Sequence, residues 1–153
     1  MSIVQSACTI FQKNLLNGNE NFTTGTYYIA LYTGNASLDA STLAYTTTNE
    51  VLTGNGYTAG GKPLVISTAP TISNQYSTAY VSFNNVIWSP AAFTCRGALV
   101  YNYTTKAACF VLNFGSDKTC SNSFTVQFPA AAPTSAILTL SSYTAANVVS
   151  SGD

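Results

Sequence analysis

The chain has 153 residues, of which 46% are hydrophobic and only 7% charged, and its five basic and five acidic side chains cancel. About a quarter of an ordinary soluble domain is charged, so the polar exterior here must come from Thr, Ser, Asn and Gln. These figures fit one domain with a real core and exclude a disordered chain. No run of about 18 apolar residues marks a membrane span, and a neutral surface has no cationic drive toward nucleic acid or anionic lipid.

The opening "MSIVQSACTIFQK" has neither a basic n-region nor a long apolar h-region. No secretory signal is expected, and the sequons at Asn21, Asn35 and Asn102 are expected to stay unmodified. Ile3, Val4, Ala7, Cys8, Phe11, Leu15 and Leu16 fall at helical spacing. This predicts a helix over 2–16, capped by Ser2 and ended by Asn17-Gly18. Phe11 and Leu15 are its docking candidates, against either the rest of the domain or a partner.

After Gly25 the pattern becomes β-branched and aromatic. Strands are predicted in "TYYIALYT" (26–33), from about Leu64 within 56–68, and over 78–89. In the last, Tyr80, Ser82, Asn84 and Val86 should share one face, and Val81, Phe83, Asn85 and Ile87 the other. Segments 95–102 and 107–114 read as a hairpin around Tyr103-Thr104-Thr105, followed by strands in 123–128 and 135–142. The expected fold is mainly β: an antiparallel β-sandwich, jelly-roll-like or Ig-like, with one short N-terminal α-helix. Residues 1–18 form the helical segment, 19–144 the sandwich, and 145–153 a loose or partner-docked tail.

The glycine-rich stretch "EVLTGNGYTAGGKPLVI" (50–66) has the look of a phosphate cradle. Such a cradle needs a helix N-terminus after the glycines. Here Lys62-Pro63 and a β-branched run follow, and the residue before a proline is biased to extended geometry. The stretch is therefore a loop, with Gly54, Gly56, Gly60 and Gly61 expected at positive φ or bulges and Tyr57 as its tether.

Little in the chain points to chemistry. There is no histidine, so neither a Ser-His-Asp nor a Cys-His arrangement is available. The four cysteines form no C-x-x-C pair and read as reduced, buried thiols. If Tyr101 pairs with Lys106, Cys95 faces Leu112 and Cys109 faces Ala98, which puts the two thiols on opposite sides of the sheet. Folding could join Asp39 with Glu50 or Glu50 with Asp117 as a glycosidase-like pair, but no spacing demands it. No catalytic, cofactor-binding or metal-binding residue is assigned. Arg96, inside the strand "CRGALVYN", needs a partner if it is buried. Asp117 is the first choice and Glu50 the second, and the expectation is a buried bidentate anchor. Ten tyrosines suit either a β core or an exposed interface or sugar-stacking surface. Tyr27, Tyr28, Tyr76, Tyr80, Tyr101 and Tyr103 are the candidates for exposure.

The order "YYIALYT", "TNEVLTGNGYTAGG", "VSFNNVIWS", "FTCRGALVYN", "FVLNFGSDKT", "FTVQFPAAAPTSAILTL" spans about 22–140. It resembles a family of small bacteriophage virion proteins described as head-fibre, decoration or tail-fibre-like. The resemblance implies a non-enzymatic virion component, assembled in the host cytoplasm, whose partner is the major capsid protein. A tail adaptor or receptor-binding protein, with tail proteins as partners, is the alternative; a sugar-binding β module is a third. A neutral Thr, Ser and Tyr surface adds the expectation of a symmetric dimer or trimer.

Overall fold

A computed structural model describes residues 2–141 and Gly152. The tail expected at 145–153 lies outside the described residues, Gly152 aside. The elements in chain order are β1 (Ser6–Ala7), α1 (Thr9–Leu16), β2 (Tyr27–Tyr32), β3 (Lys62–Pro63), β4 (Ile66–Ser73), β5 (Thr78–Phe83), β6 (Val86–Trp88), β7 (Thr94–Asn102), β8 (Ala108–Thr119), β9 (Phe124–Val126) and β10 (Leu138–Ser141). They build three antiparallel sheets ordered β1-β8-β7-β2-β3, β10-β5-β4 and β6-β9. The protein is mainly β, sandwich-like, with one short helix, as the strand pattern predicts.

The middle of the large sheet is covered on both faces, because Ala98, Leu99, Val100 and Tyr101 are all buried in succession. On one face Ile29, Val100 and Phe110 lie in register. Phe110 meets Phe11 of α1 and Phe83 of β5, each with ring centroids 6.3 Å apart, and Phe22 packs edge-on against both Phe11 and Phe83 at 5.8 Å. The second sheet and the helix thus close one side of the first. Over the other face run residues 35–50, with Tyr45 stacked on Tyr101 at 4.6 Å.

The helix is shorter than its apolar spacing predicts. Residues 2–7 are extended: Ile3 bridges to Leu38, while Ser6 and Ala7 pair with Val111 and Phe110 of β8. The edge of β8 takes up Ser6 and Ala7, and β-branched Ile3 and Val4 run beside Leu38, whose carbonyl accepts the Val4 N–H at 2.8 Å. Ser2 is therefore no cap; Cys8 takes the N-cap position without a side-chain hydrogen bond. Asn17 and Gly18 do end the helix, Gly18 at φ +72°. Phe11 is fully buried and Leu15 half-buried, whereas Leu16 is 90% exposed. Of the two alternatives for this segment, the structure shows it packed on its own domain.

Two registers also differ from expectation. The strand over 78–89 breaks at Asn84-Asn85, which shifts the buried set from Val81 and Phe83 to Val86 and Trp88 and leaves Ile87 exposed. In the β7–β8 hairpin, Tyr101 pairs with Ala108 and Cys95 with Lys118. Lys106 takes a positive φ in the turn, and irregularities at Cys95/Gly97 and Val100/Tyr101 move the register twice. The four thiols are free, with Cys8, Cys95 and Cys109 buried.

Because Phe11 fills the junction of helix and both sheets, Phe11→Ala is expected to cost about 3–5 kcal/mol. Leu16→Ala should stay within about 0.5 kcal/mol. Urea midpoints of the two variants check this; equal midpoints would place the helix outside the core.

Candidate functional site

Two glutamates are buried, Glu50 at 5% and Glu20 at 8% exposure. Among the described residues neither has a cationic partner, and the single ion pair is Arg96–Asp117. A buried carboxylate without a counter-ion is costly unless donors surround it. Around Glu50 they do. The Tyr57 hydroxyl and the Gly60 N–H both donate to Oε1 at 2.7 Å, and the Tyr45 hydroxyl donates to Oε2 at 2.7 Å. The Tyr57 oxygen in turn accepts the Leu31 N–H at 2.9 Å. Tyr101 ties down the same turn by donating to the Gly60 carbonyl at 2.7 Å.

The glycine loop is wound about this carboxylate. Gly54, Gly56, Gly60 and Gly61 all have positive φ, as expected. At two of them no side chain would fit: a Cβ on Gly61 would overlap the Ile29 carbonyl, and one on Gly56 the Pro90 carbonyl. Tyr57 is the tether predicted for it, buried against Phe93 and Trp88 with ring centroids 5.7 and 6.2 Å away.

Glu20 repeats the device. Its Oε2 accepts the Tyr27 hydroxyl at 2.7 Å and the Asn102 side-chain amide at 3.0 Å, and Oε1 accepts the Asn14 amide at 3.4 Å. The Tyr27 oxygen accepts the Asn21 N–H at 3.0 Å. In both clasps a tyrosine seven residues after the glutamate donates to the carboxylate while accepting a backbone N–H. The spacing is visible in the chain as "ENFTTGTY" (20–27) and "EVLTGNGY" (50–57). It is the signal that a search for paired acids passes over, because the partner of each acid is a phenol.

The arrangement braces loops. Glu50 is joined to tyrosines, whereas half-buried Asp39 hydrogen-bonds Ser41, which lowers its pKa, and Asp117 pairs with Arg96. Neither postulated acid pair is assembled. Among the described residues no three acids or cysteines are grouped to hold a metal ion.

Arg96 does meet its first-choice partner: Nη1 donates to Asp117 Oδ1 at 3.2 Å, and Nη2 reaches the Gly115 carbonyl at 3.5 Å. The pair is single-pronged and open to water, with side chains 41% and 59% exposed. The expected buried bidentate anchor is corrected to a surface clamp, because β8 runs on to Thr119 and carries Asp117 along the sheet edge. Of the tyrosines considered for exposure, Tyr76 and Tyr103 are exposed, Tyr28 and Tyr80 half-buried, and Tyr27 and Tyr101 buried. Tyr103 has the Tyr28 ring stacked at 4.1 Å and the Lys106 ammonium 3.7 Å from its centroid. A ring and a cation that close cannot share one face, so neither face of Tyr103 is open for a sugar.

Truncating Glu50 strands two phenols and an amide, so Glu50→Ala should cost about 3–5 kcal/mol and Tyr57→Phe about 1.5–3 kcal/mol. Arg96→Ala should cost under about 1 kcal/mol, as exposed pairs do. Denaturant unfolding of the three variants ranks them; a larger loss at Arg96 than at Glu50 would contradict the assignment.

Burial also predicts alkaline sensitivity. It raises the Cys8 thiol from 9.0 to about 11 and the Cys95 thiol from 9.0 to about 12, with Cys109 raised too. Burial, reinforced by the hydrogen bond to Glu50, raises Tyr57 and Tyr45 above 10.0, and burial with the bond to Glu20 raises Tyr27. Below about pH 9 folded and unfolded chains hold the same protons at these groups. Above it the unfolded thiols and then phenols ionise first, so stability falls as pH rises. Tyrosinate absorbance and circular dichroism followed together should show most of the ionisation coinciding with unfolding; full titration of ten phenols in a folded chain would refute this.

The chain matches no protein-family profile, no curated protein and no solved structure.

Proposed function

We propose that this protein is a non-enzymatic component of a bacteriophage virion, a capsid decoration protein that docks on the major capsid protein as a dimer or trimer. The observation that carries the reading is the exterior. Leu16, Leu43, Leu52, Ile72, Ile87 and Leu140 are each more than half exposed on a chain of zero net charge. Such a surface is poorly protected in free solution and well suited to lasting cover by other protein. The clasped loops fit a rigid building unit, and the motif order from "YYIALYT" to "FTVQF" supplies the virion context. The sugar-binding alternative loses support with the occupied faces of Tyr103.

Copy number tests the reading. Particles from the source culture, purified and quantified by mass spectrometry with the major coat protein as reference, should hold hundreds of copies of this chain. A dozen or fewer would favour the tail adaptor, and absence from particles would overturn the virion assignment.

A further inference from the structure

Trp88 is the chain's one tryptophan, and it is buried. An indole that has lost one electron can be refilled from a neighbouring phenol. The phenol becomes a strong acid as its electron leaves, so a base must already be in place to take its proton. Tyr57 meets both conditions. Its ring centroid lies 6.2 Å from that of Trp88, and its hydroxyl donates to Glu50 Oε1 at 2.7 Å. The other carboxylate oxygen, Oε2, accepts the Tyr45 hydroxyl at 2.7 Å. One carboxylate thus stands between two phenols. Tyr57 is against the buried indole, whereas Tyr45 is half-buried and stacks on Tyr101 with centroids 4.6 Å apart. The Glu20 clasp lacks this arrangement. Among the described residues it holds one phenol, Tyr27, whose ring stacks on Phe22.

We propose that Tyr57, Glu50 and Tyr45 form a proton-coupled redox site that draws an oxidising equivalent out of the core, from Trp88 to Tyr45. The primary oxidant is an external one-electron acceptor, an oxidising radical or a photo-excited species. It takes one electron from the indole and is itself reduced. In the first step an electron passes from Tyr57 to the indole radical cation, and the Tyr57 hydroxyl proton crosses to Glu50 Oε1. Trp88 is restored, and Tyr57 is left as a neutral phenoxyl radical beside a protonated carboxyl group. In the second step an electron passes from Tyr45 to the Tyr57 radical. The Tyr57 oxygen takes its proton back from Oε1, and the Tyr45 hydroxyl gives its own to Oε2. The Leu31 N–H, which donates to the Tyr57 oxygen at 2.9 Å, holds that oxygen in place throughout. The radical comes to rest on Tyr45, at the edge of the core. There a water-soluble reductant returns one electron, the carboxyl group returns the proton, and the site is reset. Burial and the bonds to Glu50 keep both phenols protonated beyond their ordinary range, so proton release must accompany every oxidation. This reading does not depend on the virion assignment.

Flash photolysis of the full-length protein tests it. Excitation at the red edge of the spectrum, where the indole absorbs and phenols do not, is combined with a dissolved cobalt(III) ammine as electron acceptor. This places the first radical on Trp88. Its absorbance should decay as that of a tyrosyl radical grows in, at a rate independent of protein concentration and slowed several-fold in heavy water. Tyr57→Phe and Glu50→Gln should each lengthen the life of the indole radical several-fold, in samples whose circular dichroism matches the native protein. Tyr45→Phe should trap the radical on Tyr57 and slow its reduction by ascorbate several-fold. Should Tyr57→Phe or Glu50→Gln fail to fold, the solvent isotope effect and Tyr45→Phe still decide. The inference is overturned by an indole radical that decays equally fast in native and folded Tyr57→Phe chains. It is overturned too by a decay with no isotope effect, or by unchanged ascorbate reduction in Tyr45→Phe.

Discussion

A carboxylate buried without a cation organises this protein. Glu50 is held by two phenols and an amide, and through them it fixes two stretches with little regular structure of their own: the Tyr45 segment and the glycine loop, the latter at both Tyr57 and Gly60. Charge-assisted hydrogen bonds are about twice as strong as neutral ones, so a ring of them can offset the desolvation that an ion pair would otherwise have to cover. Tyr57 then carries the fixation inward, since its ring packs on Trp88 and its oxygen takes a backbone N–H of β2. Glu20 does the same at the far end of β2, joining the residues after α1 to Asn102 at the end of β7. The strand thus has a glutamate–tyrosine clasp at each end. The high tyrosine content is in part a consequence: with few cations available, phenols are the donors that can accompany an acid into the core.

Much of the β framework was legible, and the failures have definite causes. Alternation and β-branching located β2, β7, β8 and β9 because a half-buried strand imposes a period of two on its own residues. The helix start is not legible because periodicity says nothing of competing partners, here the edge of β8, which pairs with Ser6 and Ala7, and Leu38, which pairs with the residues around Ile3. The face switch at Asn84-Asn85 and the hairpin register both turn on irregularities that leave no mark in the apolar pattern. At the site, the partner of Arg96 was legible from its distance along the hairpin, but its depth was not, since depth depends on how far β8 continues. The burial of Glu20 and Glu50 is not legible from acid–acid or acid–arginine spacing, because the partner of each is a phenol. The seven-residue spacing to a tyrosine, present twice, carried the information.

The placement of the remaining charges bears on what kind of molecule this is. Lys62 donates to the Ile87 carbonyl at 2.7 Å and lies 5.7 Å from the Trp88 ring centroid. Lys106 sits over Tyr103, Lys118 donates to Ser116, Arg96 is engaged with Asp117, and Lys13 occupies the last turn of the helix, where a cation complements the helix dipole. The acids among the described residues are likewise engaged: two are buried, Asp39 holds its own turn, and Asp117 serves the clamp. Among the described residues charge is engaged in local structure, and the chain's five cations and five acids leave no net charge. A protein built this way has no electrostatic means of keeping apart from other molecules. Its exposed leucines and isoleucines, Leu16 and Leu52 foremost, are then the most prominent features of its exterior. The shape of the loops therefore rests on the two internal clasps and not on charge at the surface.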